Sequence, residues 1–203
     1  MQISLAHARP FVLACAACLV ALAATRVQAA TDPLPSWNDG AAKSRIVSFV
    51  QAVIDPTGKD YVAPGARVAV FDNDGTLWSE QPAYFQAIFA MDTVKAMAAK
   101  DPALAANPAI AAAATGDPKA LVEVMTSTHA NTTSDEFGGR VRQWTKTAKH
   151  PTLHRRYTEL TFQPMRELLD YLDANGFSTW IVSGGGVEFM RVFAEDVYGI
   201  PPE

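Results

Sequence analysis

The feature that most constrains this chain is a pair of short apolar runs, each ending abruptly in a polar loop. Arg67 to Phe71 (RVAVF) leads straight into Asp72-Asn73-Asp74-Gly75-Thr76, and Phe177 to Val182 (FSTWIV) leads into Ser183-Gly184-Gly185-Gly186. Runs this short, rich in β-branched and aromatic residues and bounded by turn formers, read as buried strands. Ahead of the second run, Met165, Leu168, Leu169 and Leu172 share one helical face. Pro164 suits that helix's first turn and Asn175-Gly176 stops it. Another helix is expected from Val187. Helix, turn, strand, Gly-rich loop and helix in succession describe a parallel sheet with crossover helices, so the expected fold class is α/β. Ligands of such sheets bind at the strands' C-terminal ends, where both polar loops fall.

The remaining chain is organised around these two units. Residues 1–29 read as a secretory signal peptide, with Arg9 in a weakly charged start, an apolar run from Phe11 to Ala24, and Val27-Gln28-Ala29 before the cleavage point. The alternative is an uncleaved membrane anchor, for which the run is short. Both cysteines, Cys15 and Cys18, lie inside this segment, so the mature chain has neither a disulfide nor a cysteine–zinc site. Export without disulfides suits the bacterial periplasm. Residues 30–40 form an extended lead-in, and a helix then runs to about Ile54, with Ile46, Val47, Val50, Val53 and Ile54 on one stripe. From Gln81 to about His150 the signals are helical, punctuated by Asp101-Pro102, Asn107-Pro108 and Asp117-Pro118. Thr133 with Glu136 fits a capping box. A hydrophobic content of 49% excludes a wholly disordered chain. A formal net charge of −4 argues against a nucleic-acid binder that neutralises phosphates.

Two carboxylates two positions apart at the end of a buried strand repel one another in a dry site, and a hard cation such as Mg²⁺ is the natural partner. With such a cation, Asp72 or Asp74 can remain ionised as a nucleophile while the other trades protons. An EF-hand loop is excluded, because aligning Gly75 to its sixth position puts Val70 first and Gln81 twelfth. A plain Asp/Asn/Gly surface turn remains the other reading of this loop. The Ser183 loop offers a hydroxyl and backbone N–H groups to an anion, but by itself it reads better as a structural turn. It is neither a Walker A loop nor a G-x-S-x-G elbow.

Together the two loops resemble the haloacid dehalogenase (HAD) superfamily, whose motif I is matched by VAVFDNDGTLW and motif II by TWIVSGGG. The segments HPTLHRRYTEL, QPMRELLDYLDANGF and EFMRVFAEDVYGIPPE are similar to exported bacterial HAD hydrolases related to phosphoserine phosphatase. The resemblance implies a HAD-like Rossmannoid parallel sheet, incomplete here, with a helical cap inserted after the first motif strand. Residues 30–78 would be the first part of the core, 79–160 the cap and 161–203 the second part of the core. It further implies a Mg²⁺-dependent phosphomonoester hydrolase acting on a small phosphorylated metabolite. Asp72 would attack phosphorus, and Asp74 would protonate the leaving alkoxide and then activate water. Asn73, Ser183 and Gly184 would contact the phosphate, and Mg²⁺ would bind the Asp72 carboxylate and the Asp74 backbone carbonyl.

An acid at the second position of D-x-D favours phosphate esters over haloacids. The family's motif III lysine and motif IV acids have no match before Glu203, which implies an N-terminal part of a longer protein and a sheet with one face or edge uncovered. The competing functional readings are a fragment that only binds phosphate or Mg²⁺, and an exported helical interaction module. Glu80 stands near a cap-entry position where phosphoserine phosphatases hold a substrate-contacting Glu, but reads more simply as a solvated helix-start acid. His129, His150 and His154 lack zinc spacing and are expected to be surface or satisfied histidines. Arg155 and Arg156 are expected to be solvated, and Trp78 and Trp180 to be core aromatics.

Overall fold

The computed structural model describes residues 32–129 and 132–202. The signal-peptide segment lies outside the described residues. Among those described, two parallel strands, β1 (Val68–Phe71) and β2 (Ser178–Ile181), pair in the register Val68–Ser178 through Phe71–Ile181. This is the mixed α/β arrangement expected. Arg67 fixes the start of β1. Its buried guanidinium donates to Val62 O and Asn175 O at 2.8 Å each, tying the loops before both strands together.

Helix α1 (Ala41–Ile54) and helix α7 (Gln163–Ala174) cover one side. Val50 and Val53 pack with Leu168, Leu172 and Phe177, flanked by the half-buried Ile46, Val47 and Ile54. That is the stripe expected from the sequence. The lead-in is more than an extended tail. Leu34 is 0% exposed in this cluster, Trp37 Nε1 donates to Pro164 O at 2.8 Å, and Ser36 bonds the Glu167 carboxylate through both N and Oγ. Composition alone hides this docking, because Leu34 and Trp37 among prolines and polar residues carry no helical or strand periodicity.

The region between the strands is helical: α2 (Phe85–Lys100), α3 (Pro102–Ala105), α4 (Pro108–Ala114), α5 (Pro118–His129) and α6 (Ser134–Thr147). The first half of α2 and one face of α6 join the central core. There Leu77, Trp78, Phe85, Phe89, Val141 and Tyr157 pack with residues of the two last helices, α8 (Val187–Met190) and α9 (Ala194–Tyr198). The second half of α2 instead builds a separate cluster with α4 and α5 around Val94, Ile110, Ala113, Ala120 and Val124. The capping box forms: Thr133 Oγ1 accepts from Glu136 N at 3.2 Å and Glu136 Oε2 accepts from Thr133 N at 3.1 Å.

The strands, expected to be buried, are covered on one side only. Trp78 is in the core, but Trp180 is 40% exposed and lies beside Val68, Val70 and Val182 on an uncovered sheet face. Strand alternation puts Trp180 opposite Ile181, and it is Ile181 that packs inward. No helix of the described residues is long and apolar enough to cross a membrane.

Candidate active site

The turn after β1 is held from within. Asn73 O accepts from the backbone N–H groups of Thr76, Leu77 and Trp78, and Gly75 N donates to Trp78 O at 2.9 Å. Gly75 has φ +72°, a left-handed conformation that favours glycine, and the Glu80 carboxylate lies over it, 2.9 Å from where a Cβ would stand. The tight turn carries Asp72 and Asp74 to the end of β1. Asp72 Oδ1 accepts from Asn73 N at 2.7 Å, and Asp74 Oδ1 accepts from Trp78 Nε1 at 2.7 Å. Because the indole is buried, this bond fixes the Asp74 rotamer.

Across from them lies the loop after β2. Ser183 Oγ accepts from Gly185 N at 3.2 Å. A Cβ on Gly185 would lie 3.6 Å from Ser183 Oγ and 4.0 Å from Asp74 Oδ2, which measures how closely the two loops approach. Gly184 has no neighbour within 4 Å of a Cβ position and opens to the same space. A cavity of about 590 Å³ joins the parts, lined by Asp72, Asp74, Ser183 and Gly184 and walled on its far side by α2 and α5.

Asn73 is the expected site residue that the structure does not bring to this cavity. Its side chain is 2% exposed, and Oδ1 accepts from Tyr198 Oη at 3.1 Å. It braces the turn from the core side, where its side chain is held by Tyr198 while its carbonyl oxygen accepts from the N–H groups of Thr76, Leu77 and Trp78.

Burial bears on Asp74. It pushes the Asp74 carboxyl above the usual carboxylate range, the Asp72 and Glu80 charges add to this, and the Trp78 hydrogen bond opposes it. Asp74 is thus shifted towards the protonated form that a proton donor needs. Burial likewise pushes the Tyr198 hydroxyl far up, with Asp74 adding to the effect and Arg166 opposing it, so Tyr198 is a permanent donor to Asn73.

A family model for haloacid dehalogenase-like hydrolases matches residues 69–201, which takes in both loops and everything between them. The chain belongs to the haloacid dehalogenase-like hydrolases. No curated protein matches it. For a HAD chain the donor chemistry is apt for a hard cation, since Asp72 and Asp74 present oxygens only, and Mg²⁺ is typically bound by one or two carboxylates plus water and substrate phosphate. Among the described residues there is no group of three or more His, Cys, Asp or Glu side chains that could hold a metal ion. Asp72 and Asp74 fit part of such a site and would leave the other positions to water and substrate.

Several lining residues lie outside the motifs, Glu80, Tyr84 and Gln86 among them. Glu80 turns its carboxylate over Gly75 and reaches the cavity, whereas sequence spacing favoured a solvated acid. Tyr84 and Gln86 line it from the entry to α2. Nothing in the local pattern marks Gln86, and Tyr84 reads from the sequence as part of an apolar helical face with Phe85, Ile88 and Phe89. His150 is a satisfied core histidine, with Nε2 2.7 Å from Gln81 O and Nδ1 accepting from Thr152 N and Leu153 N. Arg156 pairs with Glu159, and neither it nor Arg155 lines the cavity.

Proposed function

We propose that this HAD hydrolase is a Mg²⁺-dependent phosphatase of small phosphomonoesters. The observation that carries the reading is the convergence of Asp72, Asp74, Ser183 and Gly184 on one cavity. In the first half-reaction an Asp72 carboxylate oxygen forms a bond to phosphorus as the bond to the leaving oxygen breaks, and Asp74 gives that oxygen its proton. In the second, Asp74 takes a proton from water as the water attacks phosphorus, which releases inorganic phosphate and restores the Asp72 carboxylate. Ser183 Oγ and Gly184 N hold phosphoryl oxygens through both halves. Mg²⁺ held by Asp72 and the Asp74 carbonyl would offset the negative charge where carboxylate meets phosphate.

Hydrolysis of p-nitrophenyl phosphate with Mg²⁺, against an EDTA control and Asp72→Asn, tests the reading. Activity that depends on Mg²⁺ and disappears in Asp72→Asn is expected, and activity that survives Asp72→Asn removes the nucleophile assignment. A second reading, binding of phosphate or Mg²⁺ without turnover, draws on the cavity's lining, where three carboxylates and no lysine or arginine stand among the described residues. Phosphate binding by calorimetry in the absence of any hydrolysis would favour it. The same proposal assigns the protein to exported bacterial phosphatases related to phosphoserine phosphatase, on the signal pattern of residues 1–29 and the segments on either side of motif II.

A further inference from the structure

Gln86 sits in the first turn of α2, at the point where the helical insertion begins, and its side chain crosses to the other motif loop. Gln86 Oε1 accepts from Gly186 N at 2.7 Å, joining residues 100 positions apart. The fit is close on every side. A Cβ on Gly186 would lie 2.5 Å from Gln86 Nε2, and one on Gly185 would lie 3.4 Å from Gln86 Oε1. The amide occupies the space that a side chain at 186 would take and lies in ordinary contact range of one at 185, and neither glycine's φ lies in the left-handed region.

The bond has consequences at both ends. Gly186 N is the donor at the exit of the Ser183 loop, immediately before α8, and Ser183 Oγ already engages Gly185 N from within. With Gly185 held from inside the loop and Gly186 held from α2, Gly184 is the one N–H of the three glycines with no hydrogen-bond partner among the described residues. At the other end, Phe85 and Phe89 anchor the same turn of α2 in the core beside Phe189 of α8. The acceptor is thus mounted on a rigid element, as a positioning group requires.

We propose that Gln86 is a positioning residue that fastens the helical insertion to the Gly-rich loop and thereby sets the geometry in which Ser183 and the Gly184 N–H meet an incoming anion. The anion part rests on the phosphatase reading above; the fastening does not. The distinguishing property is an acceptor at the end of a three-bond side chain. Gln86→Met keeps the length and packing and loses the acceptor, whereas Gln86→Glu keeps both the length and the acceptor.

Amide hydrogen exchange of the full chain, read at Gly184, Gly185 and Gly186, tests the fastening directly. Gly186 exchange is expected to accelerate about 2- to 10-fold in Gln86→Met, the size of one intramolecular hydrogen bond, and to stay at the wild-type rate in Gln86→Glu. Unchanged exchange in Gln86→Met, or equal acceleration in both variants, overturns the proposal. A double-mutant cycle on thermal unfolding serves where a single variant loosens the whole fold. Gly186→Ala is expected to cost more in the wild-type background than in Gln86→Ala, because removing the amide makes room for the new methyl, and additivity overturns the proposal.

Turnover of p-nitrophenyl phosphate then reads the functional part separately. A protein that is fully inactive defeats the phosphatase reading while the exchange result still decides the fastening. An active protein in which Gln86→Met exchanges faster yet keeps its KM and kcat limits Gln86 to a structural tie and overturns the positioning role.

Discussion

Asp74 is kept partly out of water beside two other carboxylates, so its ionised form is disfavoured in the folded state. A carboxyl whose folded pKa is raised contributes nothing at a pH below its unfolded value. As pH rises from that value through the raised folded one, the unfolded chain loses its proton first and stability falls. Above this window the penalty is constant. Asp74→Asn removes the penalty and keeps an oxygen to accept from Trp78 Nε1. The melting temperature at neutral pH is therefore expected to rise, by roughly 2–4 °C for each kcal/mol relieved, with the gain vanishing in acid below the unfolded carboxyl pKa. Calorimetric melting at neutral and acid pH checks both halves. In the same variant, loss of the proton donor is expected to lower kcat by about 100-fold or more on poor leaving groups, and less on p-nitrophenyl phosphate, whose leaving oxygen needs little protonation. Ser183→Ala removes a hydroxyl that organises its loop and is expected to lower kcat/KM by about 100-fold, measured on the same ester.

Elements could be read from the sequence where their signals were local. Thr133 and Glu136 announce the start of α6 because both halves of a capping box lie within one turn. Thr133→Ala is expected to destabilise the protein by about 1 kcal/mol in urea unfolding. The stripe on α1 and the leucines of α7 were equally visible, and they meet in one cluster. Leu172→Ala is expected to cost roughly 2–5 kcal/mol, because Val50, Val53 and Phe177 cannot collapse into the space left. Long-range placements were less visible. The two strands can be named from their composition, but which side of β2 faces the core depends on what covers it, and aromatic character alone points Trp180 the wrong way. The acids of the site were legible because they share one turn. Gln86 was not, because its partner lies on a different loop and glutamine carries no motif.

At the scale of the whole molecule, the two-stranded sheet joins a well-covered side to an open one. Phe71, Ile181 and Ala69 pack against the clusters, while Val68, Val70, Trp180 and Val182 turn outward together. Their exposures run from 40% at Trp180 to 65% at Val182, on neighbouring positions of paired strands. Isolated exposed apolar residues are ordinary, but a contiguous set on a sheet is a sticky surface. Because these side chains contribute little to the core, replacing them separates surface stickiness from stability. Val70→Thr combined with Val182→Thr keeps β-branching, and with it the strand preference, while adding a polar group to each position. The double variant is expected to bind less of a hydrophobic dye and to self-associate less in light scattering, with urea unfolding changed by no more than about 0.5 kcal/mol. A large loss of stability would show instead that these residues are packed in solution, and that the face is covered.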